Sequence, residues 1–573
     1  MLEVRAAGPA QLARWRARIE AMRLALGWSG DGAIVGLLHA DGAALALAAP
    51  RQRLFAATEL NEWAWQGAAC EDLQLPLPAA PGHPSTLDFD SARETLRRLA
   101  AAESRPVPDA LVAEAQARGL PVYEDDDVLT IGAGKFARSF PLAALAGAMP
   151  VLDWPALGSI PTALVTGSNG KTTTVRLLSA MLAQAGRVPG YNCTDGVFVA
   201  GQRLEQGDWS GPAGARCVLR DPRVEAAVLE TARGGLLRRG LAVAHADAAI
   251  VTNISADHFG EYGVHSLAQL AAAKLVVARA LGEGGVLVLN GDDVALAKAV
   301  DSQAGTAVDS FAVGAAGAGA FAISWFSLDD ANPRLAAARR AGAATCAVAD
   351  GELVLRIGET SHTLGMVAAM PLTLGGVAHY NVANAAGAAL LAHALGIAPE
   401  HIAAVLARFG AHNADNPGRL QRWRQRGVEV LLDYAHNPDG LQGLLAIAQG
   451  LAGAEGRLGL LLGQAGNRDD EAIRALARTA AAGGPARVVL KDLPGLLRGR
   501  APGEVPALLF EELRRAGLAE SQLHMVLAAV EAARSLLAWA RPGDVLVLPV
   551  HGAEAREQLV AFLDGVGEVR AAN

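Results

Sequence analysis

Residues 162 to 178 read TALVTGSNGKTTTVRLL: an apolar run, a Gly-Ser-Asn-Gly-Lys-Thr turn, then a segment of helical character. Gly167 and Gly170, with Asn169 between them, permit a tight turn that presents its backbone N–H groups. Together with the N-terminus of the following helix, such groups make an anion site. Lys171 would meet phosphates as a point charge, and Thr172, followed by Thr173 and Thr174, would offer a hydroxyl to Mg²⁺. Val165 stands where the first glycine of GxxxxGK[ST] belongs, so the strand–turn–helix context carries this reading more than the string itself.

A nucleoside triphosphate brings a metal, and the metal needs ligands. AAVLETARGG ends an apolar run at Glu230, and AAIVTNISADHFG ends another near Asn253, with Asp257 and His258 just beyond. In a parallel sheet the strand C-termini gather on one edge, the edge that also carries the phosphate loop. Glu230 and His258 are therefore expected to reach one Mg²⁺ beside Thr172. Taken singly, a Glu after an apolar run is more often a solvated strand end, and a lone His more often structural.

The elements that must place these residues fall into three regions. A chain of 573 residues is too long for one core. Up to about residue 155, PAQLARWRARIEAMRLALG, SARETLRRLAAAE and PDALVAEAQARG read as helices, and GAIVGLLHADGAALALAAP as a hairpin around Ala40-Asp41-Gly42. TELNEWAWQGA is aromatic and reads as core ahead of interface, and MPVLDWPALGSIPT as a linker. From the phosphate loop onward, EAAVLE, DAAIVTNI and GGVLVLN alternate with helical segments; from NPGRLQRW onward VEVLLDYA, GRLGLLLG, ARVVLKD and DVLVLPV repeat the alternation. The fold class expected is multidomain α/β: a mixed α+β region 1–155, a phosphate-loop parallel-sheet domain 156–413, and a Rossmann-like α/β domain 414–573.

Composition narrows the function classes. Hydrophobic residues are 51% and charged residues 19%, which is globular, and a net charge of −8 without a basic block argues against nucleic acid. The four cysteines are scattered, against a zinc site or disulfide framework and in keeping with a reducing cytoplasm. The N-terminal residues lack the apolar stretch of a signal peptide. The longest uncharged run, Met366 to Pro399, is broken by prolines and a Gly-Gly pair, against a membrane span and for a buried, turn-interrupted segment.

Seven motifs in order resemble the Mur ligase superfamily of ATP-dependent amide ligases: Gly167–Thr172, Glu230, Asn253 with Asp257-His258, Lys274, HYNVAN (His379 to Asn384), PGR (Pro417 to Arg419) and DYAHNP (Asp433 to Pro438). They cover roughly residues 160 to 573. YNCTDGVFVAGQ, ETARGGLLRRGL and KDLPGLLRGRAPGEVPALL are similar to the Mur-ligase half of the cyanophycin synthetases. ARGLPVYEDDDVLTIGAGKFARSF resembles the segment leading into the ATP-grasp module of those enzymes, yet Phe140 and Thr162 stand too close for that module to lie between them.

The resemblance implies that a carboxylate attacks the ATP γ-phosphate and that an amine then displaces phosphate from the acyl phosphate, with Mg²⁺ assisting. It implies Lys171, Glu230, His258 and Lys274 as catalytic residues, Lys274 being carbamylated in several members. Asn384 matches the adenine-side residue, and Arg419 and Asp433 reach the nucleotide from the C-terminal domain, which closes about a hinge near Asn413 to Pro417. Thr194, Asp195 and Arg233 are candidates for an acidic acceptor, with Arg238 and Arg239 nearby; His436, Arg468 and Asp469 are candidates for the incoming amino acid. A run of arginines is otherwise a solvated face, and Arg468-Asp469 equally a charged loop. A homodimer is the expected assembly. Three alternatives stand beside the ligase: the same class with a peptidoglycan- or folate-type acceptor, a catalytically reduced nucleotide-binding subunit partnering another polymer synthetase, and a plain phosphate-loop kinase or phosphatase.

Overall fold

The computed structural model describes residues 2–5, 7–39, 42–73, 88–147, 149–257, 259–304, 321–453 and 455–568. Two compact units divide the chain: Met1–Ser159 with Phe259–Ser266, and Ile160–His258 with Leu267–Asn573.

The first unit is mixed α+β. Strands β1 (Leu2–Arg5), β2 (Ile34–His39) and β3 (Gly42–Leu47) form an antiparallel sheet in the order β1-β3-β2. The β2–β3 pairing is the anticipated hairpin; Ala40 and Asp41 lie outside the described residues. The helix Pro9–Leu26 buries Trp15, Ile19 and Met22 against the helix Leu54–Leu73, where Leu60 and Trp63 are core residues. Trp15 Nε1 donates to Asn61 Oδ1 at 2.8 Å, which satisfies the one polar atom of a fully buried indole. A second small sheet holds β4 (Val122–Glu124), β5 (Val128–Ile131) and β6 (Arg138–Pro141).

The second unit is built on two larger sheets. The first contains β7 (Thr162–Thr166), β8 (Pro189–Cys193), β9 (Gly196–Val199), β10 (Gln202–Gln206), β11 (Ala226–Glu230), β12 (Ala246–Val251), β13 (Leu281–Asn290), β14 (Ala322–Ser327), β15 (Thr345–Ala349), β16 (Glu352–Ile357) and β17 (Thr360–Met366). Their order is β10-β9-β8-β11-β7-β12-β13-β14-β15-β16-β17. From β8 to β15 in this order the pairing is parallel, and antiparallel strands extend both edges. β7 and β11 are buried throughout, which is why they read as unbroken apolar runs. The helix Lys171–Gln184 is buried over most of its surface, packed on this sheet and on the helices His379–Ala394 and Pro399–Leu406. Met366 to Pro399 is the turn-interrupted segment anticipated: two short 3₁₀ turns lead into the buried helix His379–Ala394. No helix among the described residues is long and apolar enough to cross a membrane.

Residues 407–420 lead from the helix Pro399–Leu406 into the second sheet. It contains β18 (Gln421–Gln425), β19 (Val428–Asp433), β20 (Leu458–Leu462), β21 (Arg487–Leu490), β22 (Leu523–Met525) and β23 (Val545–Pro549), in the order β18-β19-β23-β20-β21-β22. Only β18 runs antiparallel. In the first sheet β7 lies between β11 and β12, so the loop after β7 is flanked by Glu230 at one strand end and Asn253 just past another.

Candidate active site

Two glycines set the loop. Gly167 has φ +145° and Gly170 φ +83°; a Cβ would lie 1.8 Å from Thr252 Oγ1 at the first and 2.1 Å from Asn384 Oδ1 at the second. No larger residue fits either place. The end of β12 moulds the turn: Asn169 N–H donates to Asn253 Oδ1 at 2.8 Å, Ser168 N–H to the Asn253 carbonyl at 2.9 Å, and Thr252 Oγ1 to the Asn169 carbonyl at 2.6 Å. Lys171 Nζ lies back on the Gly167 and Ser168 carbonyls at 3.1 and 3.0 Å, and Lys274 Nζ donates to the same Gly167 carbonyl at 2.8 Å.

Below the loop, two hydroxyls meet one carboxylate. Thr172 Oγ1 donates to Glu230 Oε2 at 2.8 Å and Thr194 Oγ1 to Glu230 Oε1 at 3.2 Å. Glu230 is 1% exposed. Burial pushes its carboxyl above the usual range, against the pull of Lys171, the Thr172 hydrogen bond and Arg419. A buried carboxylate held only by hydroxyls suits a small hard cation. Among the described residues no three His, Cys, Asp or Glu side chains gather. His258, the other expected ligand, lies outside the described residues. Lys274 is buried, and burial with the nearby Lys171 charge pushes its amine well below the ordinary lysine range, Asp257 opposing.

The C-terminal sheet supplies the facing wall. Asp433, at the end of β19, accepts the N–H groups of Leu420 and Ala435 at 2.7 Å each. Burial pushes its carboxyl up, opposed by Arg419. Arg419 places Nη2 3.3 Å from Thr172 Oγ1 and its guanidinium 4.4 Å over the Tyr434 ring. Asn437 Nδ2 donates to Asn169 Oδ1 at 3.0 Å, and Asn169 Nδ2 to Asp439 Oδ2 at 3.1 Å, so the DYAHNP segment touches the loop directly. Asp257 joins His436 Nε2 at 3.1 Å and Arg468 Nη2 at 3.3 Å. A cavity of about 720 Å³ lies between these walls.

Of the residues expected from sequence, Asn169 through Thr173, Thr194, Glu230, Asn253, Asn384, Arg419, Asp433, His436 and Arg468 line that cavity. Gly167, within the loop, and Lys274, bonded to the Gly167 carbonyl, do not line the cavity. Asp469 is a helix cap, its carboxylate accepting the Ala472 N–H at 2.7 Å, and the cap fixes the start of the helix Asp470–Ala482. Arg233 is buried at the start of the helix Arg233–Arg239, whereas Arg238 and Arg239 are exposed. Asp195 is held by arginines away from the cavity wall. Sequence reasoning missed Arg176, His551 and Arg556, and gave Tyr434, within DYAHNP, no role of its own. Arg176 carried a usable signal, an arginine within the otherwise apolar run VRLL of a buried helix; Arg556 sits in a mixed helix with no motif around it.

Comparison with known proteins follows the two sheets. The Mur ligase middle domain matches residues 165–392, and the Mur ligase glutamate ligase domain matches residues 418–549. A cyanophycin synthetase of Trichormus variabilis is 35% identical over 352 residues, 61% of this chain but 37% of that protein, so the chain spans well under half the length of this relative. A UDP-N-acetylmuramyl-tripeptide synthetase of Leifsonia xyli subsp. xyli is 30% identical over 396 residues, 68% of this chain and 70% of that one. Since the middle domain carries the phosphate loop and Glu230, and the glutamate ligase domain carries Arg419 and Asp433, the chain belongs to the Mur ligase family.

Proposed function

We propose that the protein is an ATP-dependent carboxylate–amine ligase that joins an amino acid to an acidic, peptide-like or amino-acid acceptor through an acyl phosphate. One observation carries this reading: the Thr172–Glu230–Thr194 cluster under a phosphate loop, met by Arg419 from the connection before β18 and faced by Asp433 at the end of β19. Thr172 and Glu230, with His258, would hold Mg²⁺, which when bound would draw charge off the transferring phosphoryl group. Lys171 leaves the loop carbonyls to meet the phosphates. Arg419 neutralises charge from the opposite wall, and Asp433, held by two backbone N–H groups, is set to receive a ribose hydroxyl. Lys274, its amine pushed well below the ordinary lysine range by burial and by the Lys171 charge, matches the position that is carbamylated in several family members. Closure of the two walls would exclude water from an acyl phosphate that otherwise hydrolyses.

The resemblance to cyanophycin synthetases favours an Asp-containing acceptor. The experiment is ADP and phosphate release with Mg²⁺, screening Asp peptides, polyaspartate, β-Asp-Arg and glutamyl peptides against the amino acids, with Lys171→Ala as control. Turnover that requires both an acceptor and an amine and disappears in the variant is the expected result. Tight ATP binding without turnover for any pair favours the nucleotide-binding subunit reading instead.

A further inference from the structure

Asp195 lies in the turn between β8 and β9, where three arginines converge on it. Oδ2 receives Arg176 Nη2 at 2.7 Å, Oδ1 receives Arg556 Nη2, and Arg419 Nη2 stands 3.9 Å from Oδ2. Side-chain exposure across the four is between 5% and 14%. Guanidinium groups this close and this dry require an anion among them. Burial alone would raise the Asp195 carboxyl, but Arg419, Arg176 and Arg556 together hold it below the usual range.

The arginines come from separated parts of the second unit. Arg176 is in the helix that follows the phosphate loop, Arg419 in the connection before β18, and Arg556 in the helix Ala553–Glu568 after β23. Arg176 also donates to Asn416 Oδ1 at 3.1 Å and to the Pro417 carbonyl at 2.7 Å, and Asn416 Nδ2 to Thr173 Oγ1 at 3.2 Å. Arg556 lies flat on Gly418, where a Cβ would be 3.0 Å from its Nε. The Pro-Gly-Arg turn is thus gripped from both sides by arginines that share one carboxylate. Its third residue, Arg419, is the one that reaches Thr172.

We infer that Asp195 is a positioning residue: it draws Arg419 of the connection before β18 and Arg556 of the helix Ala553–Glu568 onto the turn after β8 and so sets Arg419 over the phosphate loop. This rests on the nucleotide-site reading above. Its carboxylate is spent on arginines and is not offered to a substrate, so its effect passes through Arg419.

The test is equilibrium binding of MANT-ATP with Mg²⁺ to the full chain and its variants, with circular dichroism to check folding. Asp195→Asn, equal in shape but uncharged, is expected to weaken binding at least about tenfold, as loss of one partner of a buried charge pair does. Arg556→Gln tests the same contact from the other side and is expected to weaken binding similarly, with the double variant no worse than either single one. Asp195→Glu, which keeps the charge, is expected to recover most of the loss, which a packing role would not give. Binding by Asp195→Asn or Arg556→Gln within twofold of the parent, or losses that simply multiply in the double variant, would overturn the inference alone. Failure of the parent to bind MANT-ATP would overturn the nucleotide-site reading and this inference with it.

Discussion

Lys491 is fully buried at the end of β21, and its Nζ has no hydrogen-bond partner among the described residues. Burial pushes its pKa down to about 7 from 10.5, with Asp492 opposing. Below pH 7 both the folded and unfolded chains hold the proton, so the cost of the buried ammonium is present in full. Between about 7 and 10.5 only the unfolded chain holds it, so this group makes stability rise with pH. Lys491→Met is therefore expected to stabilise the protein by about 1–3 kcal/mol at pH 7, with the gain shrinking toward pH 10, as read by denaturant melts across that range. Such a residue shows how far single positions were legible. Lys171, Thr172 and Glu230 could be read because a loop or strand end fixes their surroundings locally. Lys491 reads in sequence as an ordinary strand-end lysine, and the helix-capping role of Asp469 was equally hidden in a charged loop. Asp195 was expected at an acceptor, but Arg556, more than 300 residues away, decides what it does.

Among the elements, the phosphate loop is the one whose shape admits least change. Gly170→Ala would place a methyl group against Asn384 in a left-handed backbone region, and it is expected to cost about 1–3 kcal/mol of stability and to abolish measurable ATP binding. Isothermal titration with ATP and Mg²⁺ reads the second effect. The parallel strands were legible because strands covered on both faces are apolar runs of a few residues between turn signals. The antiparallel strands at the edges of the first sheet were not. The β9–β10 hairpin turns at Ala200 and Gly201, with φ of +51° and +78°. Asn or Asp usually precedes Gly in such a turn, so the familiar marker was missing.

At the scale of the whole molecule, the alternation of strand and helix pointed to two α/β regions, but nothing local foretold how much of one wall each would supply. Hydrogen bonds such as Asn437 to Asn169 and Arg176 to Pro417 join residues far apart in sequence, and only the fold brings them within reach. The connection 407–420 ties the helices packed on the first sheet to the second sheet. It acts as a tether: each half sees the other at an effective concentration on the order of millimolar, whatever the protein concentration in solution. Cleavage at a protease site placed at Asn413 would turn assembly of the site into a bimolecular event. Specific activity, flat with dilution in the intact chain, is then expected to fall as the cleaved protein is diluted.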